Sequence, residues 1–403
     1  MNLAPRRIAA LGLALLLIVG VTYAIVSSIA SRLAPTDVSI HGLIGSEKAP
    51  FFADPRVVKA LDRGGFVVTI ATAGSRQIAS MDLKSEGFAF PAGGPAAEKI
   101  RRERSGTSAV VPFFTPMAIA SWRPIVDVLE KAGVVHQRSG YLAFDVSKYM
   151  ELVAADKRWK DLPGNTSYAV NKSVLVTTTD VRRSNSAAMY LSLVSYVANG
   201  NSIVENDSRI DSIVSTAAPL FLRQGFVENS SEAPFEDYLV QGMGKSPLVM
   251  IYESQFVARA AAHDGSITPE MVLLYPEPTI YSKHTFVSLN PDGARLGEFL
   301  ANDPEMRSLA TTYGFRTSDT AGFRNFIAQN QLTVPDSLID VIEPPTYETL
   351  EAMITRLEGL YQGGPFSPTP ASSLSSSAGD PSAPVTASST LRVASPAPSG
   401  DTP

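Results

Sequence analysis

Between residues 36 and 361, short runs of β-branched and aromatic residues alternate with amphipathic stretches, and this alternation limits the possible folds more than any other feature. The runs fall at 38–44, 66–71, 109–113, 174–178, 248–252 and 285–289. They are nearly continuous in apolar character, as strands of a parallel sheet are when both faces are covered. Ile125, Val128, Leu129 and Ala132 between them share one face of a 3.6-residue period that Gly133 closes. Met189, Leu193, Tyr196 and Val197 form a second stripe ending at Asn199 and Gly200. Tyr347, Leu350, Ile354, Leu357 and Tyr361 form a closing helix after Pro344 and Pro345. No period of about 20–50 residues recurs, which excludes solenoids and propellers. The pattern predicts an α/β fold, with ligand crevices at the carboxyl ends of the strands. A folded stretch beyond about 250–300 residues predicts two lobes rather than one core.

The flanks differ in kind. Residues 8–30 are 23 residues without a charge, preceded by Arg6 and Arg7. About 20 apolar residues span a bilayer as a helix, and a positive flank stays cytoplasmic. The expected anchor is therefore 1–35, with the remainder outside the cell membrane. Cleavage after a signal peptide, at the small residues Ser28-Ile29-Ala30, is the alternative and would give a secreted or periplasmic protein. The run exceeds a signal core of about 7–15 residues, which favours the uncleaved anchor. Residues 362–403 are Ser, Pro, Ala, Thr and Gly with little charge, and their few apolar residues have no period. A disordered tail is expected there.

Composition removes whole classes of function. The 403 residues carry 34 Lys and Arg against 39 Asp and Glu, a net charge of −5, which argues against nucleic-acid binding. With no cysteine there is no thiol nucleophile, zinc–thiolate site, iron–sulfur cluster or lipid-modified cysteine. His41, His136, His263 and His284 are too widely spaced for a local metal motif. A P-loop reading of Gly244-Lys245-Ser246 fails because Leu239 stands where glycine is needed. No catalytic residue, cofactor or metal is expected.

The strand ends carry the remaining signal. Gly45-Ser46-Glu47-Lys48 follows the first run, and Gly74-Ser75-Arg76 follows the second. The segment 180–186, with Arg182, Arg183, Ser184, Asn185 and Ser186, follows the fourth, and Glu253-Ser254 follows the fifth after Tyr252. Several of these open helices, whose free N–H groups and dipole favour an anionic or carbonyl oxygen. Each residue alone has a plainer reading. Ser184 and Ser186 suit N-caps, Gly45 and Gly74 suit turns, and Glu47, Lys48, Arg182 and Arg183 suit solvated surface, although one of the two arginines could compensate an anionic ligand. Asn229-Ser230-Ser231 fits a glycosylation pattern and is read as chance. The functional reading rests on recurrence at corresponding strand ends.

The segments GSEKAPFFADPRVVKAL, TAGSRQIA, FFTPMAIASWRPIVDVLEKAG, TTTDVRRSNSAAMYLSLVSYVANG, PLVMIYESQF and LYPEPTIYSKHTFVSLN occur in this order. Over about residues 38 to 325 the chain resembles the extracellular solute-binding proteins of bacterial ABC transporters, the class II periplasmic-binding fold, in a membrane-anchored form. The resemblance implies lobe one at 36–115 plus 280–361 and lobe two at 116–279, joined by crossing segments near 115–121 and 274–282. It implies a cleft lined by Ser46, Ser75, Thr115, Ser184, Asn185, Ser186, Tyr252, Glu253 and Tyr281. Trp122 could wall that cleft near Tyr281. The lipoprotein cysteine of many members is missing, and the apolar anchor would replace it. The expected function is capture of a small polar or anionic solute for an ABC-type importer, with a permease as partner and no catalysis. A membrane-tethered surface scaffold or sensor on the same fold is the alternative, motivated by the Pro/Ser tail.

Overall fold

The structure, a computed structural model, describes residues 38–362 except 206, 226 and 227, together with the backbone of Leu391–Arg392. The apolar run at 8–30 and the rest of the expected tail lie outside the described residues. Among the described residues no helix is long and apolar enough to cross a membrane.

The chain opens with β1 (Val38–Ile44), a 3-10 turn (Ser46–Lys48), α1 (Ala49–Ala53), α2 (Pro55–Arg63), β2 (Phe66–Thr72), α3 (Ser75–Ser80), β3 (Phe88–Phe90) and α4 (Gly94–Glu103). A long strand, β4 (Ser108–Trp122), leads into α5 (Arg123–Lys131), β5 (Val135–Arg138), β6 (Tyr141–Asp145) and α6 (Val146–Ala154). Beyond a long connection lie α7 (Asn185–Ala198), α8 (Ile210–Leu222), α9 (Glu232–Gln241), β7 (Val249–Tyr252) and α10 (Glu253–Ala261). The return is made by β8 (Met271–Glu277) and β9 (Thr279–Ser288). After it come α11 (Pro291–Asn302), α12 (Pro304–Thr312), α13 (Thr320–Gln329), β10 (Val341–Ile342), α14 (Tyr347–Tyr361) and β11 (Leu391–Arg392).

The strands run in the order β11-β2-β1-β3-β9-β4-β8-β6-β5, with β10 beside β9 and β7 beside β4. Strands β1, β2 and β3 are parallel, as their apolar runs predict, but β9 is antiparallel to both β3 and β4. Strand β4 belongs to two neighbourhoods. Its first part pairs with β9 down to Thr115↔Ser282 and Pro116↔Tyr281. From Met117 onward it pairs with β7 and then β8. The outgoing and returning segments therefore lie side by side where the sheet changes partners.

Two cores flank that point. Phe51, Phe52, Phe90, Phe113 and Phe286 fill the one under β1–β3. Ile125, Leu129, Met189, Leu193, Val214 and Leu274 fill the larger one beyond the crossing. Burying a side chain of this size contributes about 1.5–3 kcal/mol, so each half holds itself together mainly through its own cluster. Two elements depart from expectation. The run 174–178 makes only an isolated bridge, Thr177↔Val249, because its neighbouring N–H groups find partners off the sheet, Val174 N–H at the Lys157 carbonyl (3.3 Å). Val176 N–H donates to the Tyr149 hydroxyl (2.9 Å) and Thr178 N–H to Gln224 Oε1 (2.8 Å). The closing helix α14, expected in the first lobe, instead buries Leu350, Met353, Ile354 and Leu357 in the second core. Its apolar stripe finds its partner on α8.

Candidate functional site

A cavity of about 510 Å³ opens where the two halves face each other. Ser46 and Glu47 from the turn after β1, and Thr72 to Gln77 from the β2–α3 junction, line one side. Arg182 to Asn185 before α7, Asn229 to Ser231 before α9, and Tyr252 at the end of β7 line the other. Every one of these stretches follows a strand or opens a helix, so the site is built at element ends.

At three helix starts around it the residue at the cap position caps nothing. Gly74 precedes α3, Ser184 precedes α7 and Ser231 precedes α9, and none makes a side-chain capping bond. By contrast, Asp54, Asp145, Asn290 and Asp303 cap α2, α6, α11 and α12. Ser184 occupies the cap position, but its hydroxyl turns to Ser186 Oγ (3.0 Å), which in turn meets Thr179 Oγ1 (2.9 Å). The α7 start, with no cap bond from Ser184, borders the cavity, and an anionic oxygen there gains about 0.3–1 kcal/mol, up to ~2 when partly buried; the first N–H of α9, on Glu232, already donates to the Ser230 hydroxyl (3.3 Å).

Close approach holds the two sides together. A Cβ on Gly74 would sit 2.6 Å from the Arg183 carbonyl oxygen, and one on Gly93 would run into the Asn185 side-chain oxygen. Glycine at 74 and 93 is what allows the halves to meet. The Arg76 guanidinium donates to the Arg182 carbonyl across the same seam.

Most of the cavity's charges are already matched. Arg76 is bound at two nitrogens by Glu351. Arg182 forks onto Asp180 (2.8 and 2.6 Å). Burial works against the Asp180 charge, but Arg182 holds the carboxyl below its ordinary range. Glu47 is paired with the fully buried Lys48. Burial opposes its charge too, and Lys48 together with His284 still keeps it far below the usual carboxylate range. Arg183 is exposed and forms no ion pair among the described residues. Tyr252 accepts from Asn185 Nδ2 (3.1 Å), and burial beside the Glu47 charge pushes its phenol up, so it stays protonated.

Of the residues expected in the cleft, Ser46, Ser75, Ser184, Asn185 and Tyr252 line this cavity, and Ser186 lies one hydrogen bond behind it. Thr115, Glu253 and Tyr281 do not line it. Thr115 is buried at the crossing, where its hydroxyl accepts from Ser254 N–H (3.1 Å). Glu253 is fully buried, held by Arg316 (2.7 and 2.9 Å) and the Tyr275 hydroxyl (2.6 Å). Its oxygens tie the segment after α12 to the start of α10, and complete burial keeps them from the cavity. Tyr281 packs on Phe114 with ring centres 5.3 Å apart. Trp122 lies far from that pair in function, against Tyr238 and the Ser246 carbonyl. Sequence reasoning read Arg183 as surface charge or as compensation for an anionic ligand, gave Arg76 no role and missed Asn229 to Ser231. The signal for the last was Ser231 directly before the acidic first turn of α9.

No family model and no curated protein matches the chain. Solved structures do. The periplasmic binding protein AfuA of Actinobacillus pleuropneumoniae, with fructose-6-phosphate bound, superposes with a TM-score of 0.50 at 12% identity, covering 81% of this chain and 98% of that one. This is the solute-binding-protein fold. An ABC transporter solute-binding protein of Thermotoga lettingae, bound with α-D-tagatose, matches with a TM-score of 0.50 at 10% identity over 81% of this chain and 94% of its own. Both neighbours are binding proteins rather than enzymes.

Proposed function

We propose that the chain is an extracytoplasmic solute-binding protein that captures a small, oxygen-rich anionic solute between its two halves and presents it to an ABC-type permease. One observation carries this reading: the α7 start, left uncapped by Ser184, and Arg183, which forms no ion pair among the described residues, border the polar cavity at the seam. Arg76, Arg182 and Lys48 already have carboxylate partners, so the surplus is one positive charge. That favours a solute with one net negative charge, its oxygens taken by helix N–H groups and by the hydroxyls of Ser46, Ser184 and Ser231. Binding selects the state in which both halves touch the solute, because only that state makes all the contacts. In this reading the lobes follow the boundaries expected from sequence except that α14 joins the second, on which α13 and the segment with Val334 and Leu338 also pack. The apolar run at 8–30 supplies the membrane tether, with Arg6 and Arg7 on the cytoplasmic side.

The test is a melting screen of the full chain against inorganic sulfate, inorganic phosphate, sugar phosphates, carboxylic acids and neutral sugars. At about 100 times Kd, a ligand stabilises by ~2.7 kcal/mol, which moves the melting point by several degrees. Anionic members should raise it, and Arg183→Glu should abolish the rise. A panel without effect, or a shift confined to neutral sugars, would count against the reading.

A further inference from the structure

Helix α14 touches both sides of the cavity. Its first turn engages the first half. Arg102 of α4 donates to Glu348 (2.5 Å), the Lys99 ammonium lies 5.5 Å from the Tyr347 ring centre, and Glu351 takes Nε and Nη2 of Arg76. Its later turns belong to the second half. Arg356 donates to Asp211 of α8 (2.7 Å), Ile354 and Leu357 are fully buried in the second core, and Arg182 lies 5.4 Å from the Tyr361 ring centre. Two cavity-lining arginines, Arg76 and Arg182, are thus each held by the same helix. Arg76 is the point where the cavity, the far-side backbone and α14 meet, since its third nitrogen, Nη1, donates to the Arg182 carbonyl.

We propose that Glu351 is a positioning residue of the solute site: by fixing one edge of the Arg76 guanidinium it aims the other edge across the seam, and so makes α14 a strap that keeps the halves apposed before solute arrives. An arginine side chain loses up to about 2 kcal/mol of rotamer freedom when it is held. Glu351 imposes that loss in the empty protein, so the solute need not. The geometry is bidentate and about three-quarters buried on both sides, unlike the exposed Arg102–Glu348 pair and the single-point Arg356–Asp211 pair. Without Glu351, Arg76 swings free, the Arg182 carbonyl loses its donor, and the binding-competent arrangement becomes a fraction of the population. Apparent affinity falls by that fraction. The affinity part of this proposal rests on the solute-binding reading; the apposition part does not.

The natural absence of cysteine allows a clean test on the full chain. Spin labels on Lys59→Cys in α2 and Lys157→Cys after α6, both exposed, report the distance between halves by pulsed electron resonance without added solute. The parent protein should give one narrow distribution. Glu351→Gln and Arg76→Gln should each broaden it or shift it to longer distance, the pair together should add nothing, and Glu351→Asp should keep it narrow. Inorganic sulfate is the probe for affinity, and its Kd should rise about 5–10-fold in Glu351→Gln, the fold set by the apposed fraction remaining. A distribution unchanged in both glutamine variants overturns the proposal, as does one that Glu351→Asp opens equally. A purely structural role would lower the melting point while leaving the distance fixed, and that result also overturns it. If sulfate binds no variant while the distances shift as described, the strap stands and the anionic-solute reading fails separately.

Discussion

Directly beneath the cavity, Glu47, Lys48 and His284 share a buried cluster. Lys48 Nζ lies 3.2 Å from His284 Nδ1 and 4.8 Å from the Phe90 ring centre, and Glu47 Oε1 is 3.3 Å from the same imidazole nitrogen. Nε2 of His284 has no partner among the described residues. Burial, with the Lys48 charge beside it, lowers the imidazole from 6.5 to about 4, so the ring is neutral in the fold. The unfolded chain then binds a proton that the folded one refuses as pH falls from 6.5 towards 4, and stability is lost across that window at about 1.4 kcal/mol per pH unit. Below 4.5, Glu47 adds to the loss, because its unfolded carboxyl protonates while the folded one stays ionised. Urea midpoints should fall between pH 6.5 and 4.5, and His284→Asn should flatten that fall; an unchanged slope in the variant would contradict the assignment. Several residues were legible in the sequence and others were not. Ser46, Ser75, Ser184, Asn185 and Tyr252 were found because the carboxyl ends of strands are a local feature. Glu253 misled because its partner, Arg316, lies 63 residues away, and only folding reveals that the carboxylate is already taken.

At the level of elements, five of the six predicted apolar runs fall on strands, while β3, β5, β6 and β8, which also pair with strands, were not predicted. Strands β1, β2 and β7 coincide with predicted runs, whereas β4 and β9 extend well beyond theirs, because each runs through the crossing between the halves. The run at 174–178 fails as a strand for a reason no local pattern contains: Tyr149, on α6, supplies the acceptor for Val176 N–H. Burial holds that phenol at about 12, so it remains a neutral hydroxyl throughout the ordinary pH range. Tyr149→Phe should therefore leave a buried N–H unsatisfied and cost about 1–3 kcal/mol in chemical denaturation. A loss below ~0.5 kcal/mol would mean that the segment re-pairs with the sheet. Helix α14 teaches the converse point. Its period announced a helix and its buried face, but not which of two cores would receive that face. Both cores are apolar, and neither residue spacing nor composition distinguishes them.

Across the whole molecule, two large apolar clusters lie on either side of the Thr115–Ser282 crossing, and the polar cavity opens at the seam between them. The seam is sensitive to size. Gly74→Val would drive a side chain into the Arg183 carbonyl and wedge the halves apart, while each core keeps its own packing. Solute binding should weaken more than tenfold with the melting point of the empty chain nearly unchanged; equal binding would show that this contact plays no part in closure. The most direct measurement of the central claim is a crystal structure of the full chain soaked with the best anionic solute from the melting screen. Density should appear in the seam cavity, with the anionic group within hydrogen-bonding distance of the α7 start, Ser46 and Arg183. Density instead in the separate hollow bordered by Trp159, Lys172 and Arg223, with the seam cavity holding only water, would contradict it.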